Sequence, residues 1–114
     1  MAENKLADMS TEFAIQILKL TENIKGHYSL SNQLERSGTS IGANIAEAEF
    51  GISKDDFKAK MYIALKECNE SRYWLRLLNR ASYLSNEEFD SIYNDSDEIL
   101  KLLISITKTL KDNK

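Results

Sequence analysis

The stretch LSNQLERSGTSIGANIAEA, Leu30–Ala48, reads as a helix built against its own composition. Ser37, Gly38, Thr39, Ser40 and Gly42 are poor helix formers at its centre, and relative to alanine such a run costs on the order of 2–3 kcal/mol of propensity. The spacing supplies what offsets this cost. Leu34, Gly38, Ile41, Ile45 and Ala48 form one stripe, apolar and small, while Gln33, Ser37, Ser40, Asn44 and Glu47 form a polar stripe one residue over. Small residues let a neighbouring helix approach closely, and the hydroxyl, amide and carboxylate groups beside them can hydrogen-bond to it and fix its register. The polar stripe is therefore read as a structural network. Two functional readings stand beside it. In one, Asn44 and Glu47 line a cleft where a partner or ligand docks. In the other, Glu47 works as a general acid or base, although no second titratable group at a suitable spacing, no nucleophile and no anion cradle accompanies it.

Outward from this helix the chain repeats the same periodicity. Leu6, Ser10, Phe13, Ile17, Leu20 and Ile24 follow steps of three and four and define helix 1. Gly26 offers a positive-φ stop, and Ser29 or Ser31 is the expected N-cap of helix 2, which runs to about Phe50 and ends at Gly51 in the same way. Ser53 with Asp56 resembles a capping box. It opens a helix 3 over Asp55–Leu84, with Phe57, Met61, Ala64, Cys68, Ser71, Leu75 and Leu78 on its seam. Ser85-Asn-Glu-Glu88 is an S-x-x-E box opening helix 4, whose seam is Phe89, Ile92, Ser96, Ile99, Leu103, Ile106 and Leu110. Four such segments joined by short loops predict one all-α domain over residues 1–114, packed as an antiparallel up-down-up-down four-helix bundle. Leu65, Trp74, Leu77, Ala81 and Leu84 spill off the seam of helix 3 and Tyr93, Leu100, Leu102 and Ile104 off that of helix 4, and this surplus apolar area predicts a homo-oligomer.

Composition agrees and removes several function classes. At 114 residues, 42% hydrophobic and 29% charged, the chain is an ordinary globular sequence, and its lack of proline and four glycines suit long helices with few turns. Cys68 has no partner for an intrachain disulfide, and the usage suits a reducing cytoplasm. It is expected to be a small buried hydrophobe, and His27 a solvated loop residue. Structural zinc needs about four Cys or His ligands and a di-iron bundle needs Glu-x-x-His pairs; His27 is alone with Ile24 three residues before it, so neither a metal nor another cofactor is predicted. MAENKLADMS lacks an apolar core, so no secretory signal is read there, and no apolar run reaches membrane-spanning length.

Charge gives divided counsel. Fifteen basic against eighteen acidic residues leave −3, the wrong sign for gripping phosphate by bulk electrostatics. Arg72, Arg76 and Arg80, four apart, form a possible phosphate-binding track. In an antiparallel pair of helices they would instead meet Glu98, Asp95 and Asp90 as interhelical ion pairs. Lysines 54, 58, 60, 108, 111 and 114 gather at one end, where Glu3, Asp8, Glu12, Glu47 and Glu49 help cancel them. Tyr62, Tyr73 and Trp74 could serve as base-stacking platforms, but at helical spacing they read as core or interface.

The run Leu30–Ala48, with Ser53-Lys-Asp-Asp-Phe57, Ile63-Ala-Leu-Lys-Glu67 and Tyr73-Trp-Leu75, resembles the four-helix-bundle family called 23S rRNA intervening-sequence proteins, and the likeness covers nearly the whole chain. The resemblance implies a four-helix protomer assembled as a homopentamer, encoded in some cases within sequences that interrupt bacterial 23S rRNA. A related branch, the accessory variability determinant proteins of diversity-generating retroelements, is basic and binds nucleic acid and a reverse transcriptase; this chain departs from it in being acidic. The expected function is thus non-enzymatic binding by a cytoplasmic oligomer. Its partners are RNA or the ribosome, with Arg72, Arg76 and Arg80 as candidate contacts, or alternatively another protein without nucleic acid.

Overall fold

A computed structural model describes residues 2–112 as four helices and no strand: α1 (Ala2–Glu22), α2 (Tyr28–Glu49), α3 (Lys54–Arg80) and α4 (Asn86–Asp112). Lys114, counted above among the clustered lysines, lies outside the described residues, as do the side chains of Glu3 and Asp112. Each helix packs on its neighbour in the chain and α1 packs on α4, while among the described residues the diagonal pairs make no close approach. The result is a rod of 45 × 21 × 19 Å.

The seams read from spacing are the core. Leu6, Phe13, Ile17, Leu34, Ile41, Ile45, Met61, Leu75, Leu78, Ile99 and Leu103 are fully buried. Burial of each such side chain contributes roughly 1.5–3 kcal/mol before chain entropy is set against it. The small residues of α2 do what the stripe suggested on the α1 side. A Cβ built on Gly38 would sit 3.0 Å from Cγ1 of Ile17, and one on Gly42 would sit 3.2 Å from Oγ of Ser10. Two helix backbones approach here at a distance that leaves no room for a side chain, so dispersion contacts of the fully buried Ile17 replace the propensity lost in α2.

Several boundaries differ from the sequence reading, each for a local reason. Neither Ser29 nor Ser31 caps α2: the helix begins at Tyr28, its first free amides, those of Leu30 and Ser31, donate to the carbonyl of His27, and no side chain caps it. Ser31 lies a turn inside and is buried. Gly26 does take positive φ, +84°. Gly51 does not; α2 closes at Phe50, and the amide of Gly51 donates to the carbonyl of Ala48 at 3.1 Å. Helix 3 stops at Arg80 and not at Leu84, because Ser82 adopts φ +69° and the amides of Tyr83 and Leu84 fold back onto the carbonyl of Leu78. This is a Schellman-type end with serine where glycine is usual, and the fold-back returns Leu84 to the core at 3% exposure. The Ser85–Glu88 box forms in full, each residue capping the other, whereas at Ser53 only half of the box is made: its Oγ accepts from the amide of Asp56 and the Asp56 side chain makes no return bond.

The tight α1–α2 contact can be tested directly. Gly38→Val is expected to destabilise the chain by about 1–3 kcal/mol in urea unfolding, because the added carbons meet a side chain that has nowhere to retreat. Ala43→Val, on the exposed side of the same helix, is expected to cost less than about 0.7 kcal/mol, the propensity difference alone.

Candidate binding surfaces

The polar stripe of α2 divides along its length. Ser37 is fully buried and accepts a hydrogen bond at 3.0 Å from Ser71 on α3, which makes it the central cross-helix contact of the stripe. Asn44, 8% exposed, donates instead to the carbonyl and hydroxyl of Ser40, at 2.8 and 3.1 Å, one turn back on its own helix. Glu47 accepts from Lys60 of α3 at 3.2 Å and lines a surface depression with Phe50, Ile52 and Asp56; Asn44 does not reach it. Gln33, at the other end, accepts from Arg36 at 3.4 Å.

Arg36 organises a cluster that sequence reading passed over. Its guanidinium donates to Glu67 at 2.9 Å and to Glu70, both on α3, and Glu70 also accepts from the indole N–H of Trp74 at 3.1 Å. The Trp74 hydrogen bond, helped by the Arg36 guanidinium and opposed by partial burial, holds the Glu70 carboxyl below its usual range. The hydrogen bond from Arg36 to Glu70, with the nearby charge of Glu67, raises the arginine further still. Glu67 and Glu70 are three apart on the α2-facing side of α3, a signal that could have been found by asking which carboxylates stand level with Arg36.

The arginine ladder is mostly committed to α4. Arg72 donates to Ser96 Oγ at 2.8 Å, pairs with Asp97 at 3.5 Å and lies 4.0 Å over the ring of Tyr93, leaving its side chain 12% exposed. Its carboxylate is Asp97 and not the expected Glu98. Arg76 donates to the hydroxyl of Tyr93 at 2.8 Å and not to Asp95. Arg80, exposed in the last turn of α3, forms no ion pair with Asp90; its charge complements the helix C-terminus. The ladder thus offers two accessible guanidinium groups rather than three.

Of the aromatics, Tyr73 is half-exposed and meets Trp74 edge-on at 5.1 Å, while Tyr62 donates to the carbonyl of Thr107 at 3.4 Å. His27 is exposed and packs edge-on against Tyr83 at 4.6 Å, which joins the α1–α2 and α3–α4 connections. Cys68 is fully buried; desolvation pushes its thiol up to about 12, which removes it as a nucleophile. Among the described residues no group of three or more potential ligands could hold a metal ion, and no helix is long and apolar enough to cross a membrane.

Comparison with known proteins bears on the whole of this architecture. Residues 2–105 match the sequence model of the family described as 23S rRNA-intervening sequence protein. The fold is similar to a crystal structure described as a protein of unknown function from the S23 ribosomal protein family of Bacteroides thetaiotaomicron VPI-5482. That pair shares 51% sequence identity over 95% of this chain and 99% of the other, with a TM-score of 0.89. No curated protein matches the sequence.

Two outcomes follow from the ionisable groups. A depressed carboxyl adds stability that is present above the ordinary glutamate value and is lost as pH falls through the depressed one. Acid titration followed by Trp74 emission is therefore expected to show a transition below the ordinary glutamate range, moved upward by Arg36→Gln. Cys68 is expected to resist iodoacetamide at about pH 8.5 in the folded chain and to react once the chain is unfolded in urea.

Proposed function

We propose that this chain, which belongs to the family of 23S rRNA-intervening sequence proteins, is a non-enzymatic scaffold that assembles with copies of itself and works by binding macromolecules. The observation that carries this reading is the apolar surface left uncovered on one subunit. Phe50 and Ile52 are 85% and 95% exposed on the α2–α3 connection, and Tyr28, Tyr73, Leu18 and Ile104 add large half-exposed side chains on the helices. Water contact with so much apolar area is unfavourable by about 25 cal/mol per Å², and like copies are the partners always at hand. The family resemblance implies five subunits in a ring.

The antiparallel up-down-up-down order belongs to the same reading. It is supported by cross-helix pairs whose numbers rise on α3 as they fall on α4: Tyr62 with Thr107, Arg72 with Ser96, and Arg76 with Tyr93. The absence of catalysis is supported by the same chemistry. The single thiol is held protonated, and Glu47, the one carboxylate considered as an acid or base, is committed to Lys60. The free, buried cysteine suits a reducing cytoplasm as the place of work.

Contact with ribosomal RNA is the second reading. It is favoured by the family description and by the exposed Arg76 and Arg80, and opposed by the acidic balance and by the internal use of Arg72. A ring would repeat that pair of arginines once per subunit, and modest local fields would then add.

Sedimentation of the full chain is expected to give a defined species heavier than one subunit, and Phe50→Ser with Ile52→Ser is expected to shift it towards the monomer at unchanged helicity. A compact monomer at high concentration would overturn the scaffold reading. In the same preparation, retention of an rRNA fragment at low salt, weakened by Arg76→Gln with Arg80→Gln, would establish the RNA contact; no retention would exclude it.

A further inference from the structure

Phe50 and Ile52 are held out into water by a loop that has little freedom to withdraw them. The amide of Phe50 donates to the carbonyl of Glu47 at 3.2 Å, that of Gly51 donates to the carbonyl of Ala48 at 3.1 Å, and Ser53 caps α3 immediately afterwards. Gly51 suits this turn because a Cβ there would stand 3.2 Å from the carbonyl oxygen of Ala48 and 3.4 Å from the amide nitrogen of Phe57. The side chains on either side of it therefore form a fixed knob, 85% and 95% exposed. A knob held in place before docking loses little freedom when it docks.

A hollow of about 490 Å³ lies at the other end of α2, beside the α1–α2 connection. Leu18 and Tyr28 line it above Thr21 and Ile24, and they are 46% and 66% exposed, so this is apolar surface that the core has not already taken. Tyr28 opens α2 and Phe50 closes it, which puts about 33 Å of helix between hollow and knob. A subunit cannot fill its own hollow. Between the two, α2 carries no charged residue from Ser37 to Ala46, although Ala43 and Ala46 are exposed. The rims carry charges of both signs that form no ion pair within the subunit among the described residues: Glu22, Glu35 and Lys25 around the hollow, Lys54 and Asp55 beside the knob.

These features favour one occupant over the others. A phospholipid surface would bring anionic headgroups against Glu49, Asp55 and Asp56, and nucleic acid offers no apolar cleft for Ile52. A second copy offers an apolar hollow with room for both side chains and a rim of mixed charge.

We propose that the Phe50–Ile52 knob of one subunit seats in the Leu18–Tyr28 hollow of a second copy, bringing Lys54 to the rim that holds Glu22 and Glu35. This rests on the scaffold reading and names the two surfaces that meet. Because they are different surfaces, each subunit gives one knob and receives another, as the closure of a ring requires.

The test is sedimentation of two full-chain variants, alone and mixed. Phe50→Ser with Ile52→Ser removes the knob, Leu18→Lys with Tyr28→Ser spoils the hollow, and circular dichroism checks that both stay helical. Each alone is expected to sediment as a monomer and the equimolar mixture at twice that mass, because one intact knob meets one intact hollow and assembly then stops. Parent-like assembly of the hollow variant, or a mixture that stays monomeric, would overturn the proposal and leave the scaffold reading standing; a monomeric parent would remove both. Crosslinking keeps the question open to test if a variant loses its helicity. Leu18→Cys with Ile52→Cys in one chain places the thiols too far apart to join within a subunit, so mild oxidation is expected to give disulfide-linked multimers that neither single variant gives, Cys68 being buried. Failure of the double variant to link would overturn the proposal.

Discussion

The contact on which the rest of the bundle depends is the approach of α1 to α2 at Gly38 and Gly42. Ile17 occupies the space that a side chain at position 38 would need, and Ser10 does the same opposite position 42. That proximity explains why a helix tolerates two glycines, two serines and a threonine within the six positions Ser37–Gly42. Their chain neighbours set the register on the α3 side, where Ser37 meets Ser71 inside the core and Arg36 lies between two glutamates of α3. With α2 fixed against both neighbours, α4 is left to close the rod against α3 and α1.

Electrostatics is distributed unevenly over the four seams. The α2–α3 and α3–α4 seams each hold an arginine in a network of oxygen acceptors, and the paired charges there are worth little singly but fix geometry by fork-shaped hydrogen bonding. The α1–α4 seam holds carboxylates alone along its groove. An overall charge of −3 conceals this asymmetry, which arises from where each charge sits.

The seams, the helix count and the Ser85–Glu88 capping box are legible in the sequence because they depend on spacing and on short-range chemistry. Phe13, Ile17, Leu75 and Ile99 could be placed in the core from periodicity alone. What could not be read depends on details that one residue of rotation decides. Height along the two helices pairs Arg72 with Glu98, but Asp97 faces it from α4 while Glu98 lies towards α1. The end of α3 was missed because a serine holds the left-handed conformation, and serine carries no signal for it. The Arg36 cluster was missed because its partners lie 31 and 34 residues away, a separation with no local pattern. Of the candidate contacts, Ser37 and Glu47 do reach across to α3, while Ser40 and Asn44 satisfy each other.

Three of the four helix pairings join elements consecutive in the chain, and only α1 with α4 brings together segments remote in sequence. Loop-closure entropy must be paid before such a pairing rewards it, which makes it the costliest of the four to form. The acidic seam is then the clasp of the molecule, the fastening that turns three pairings between chain neighbours into a closed bundle.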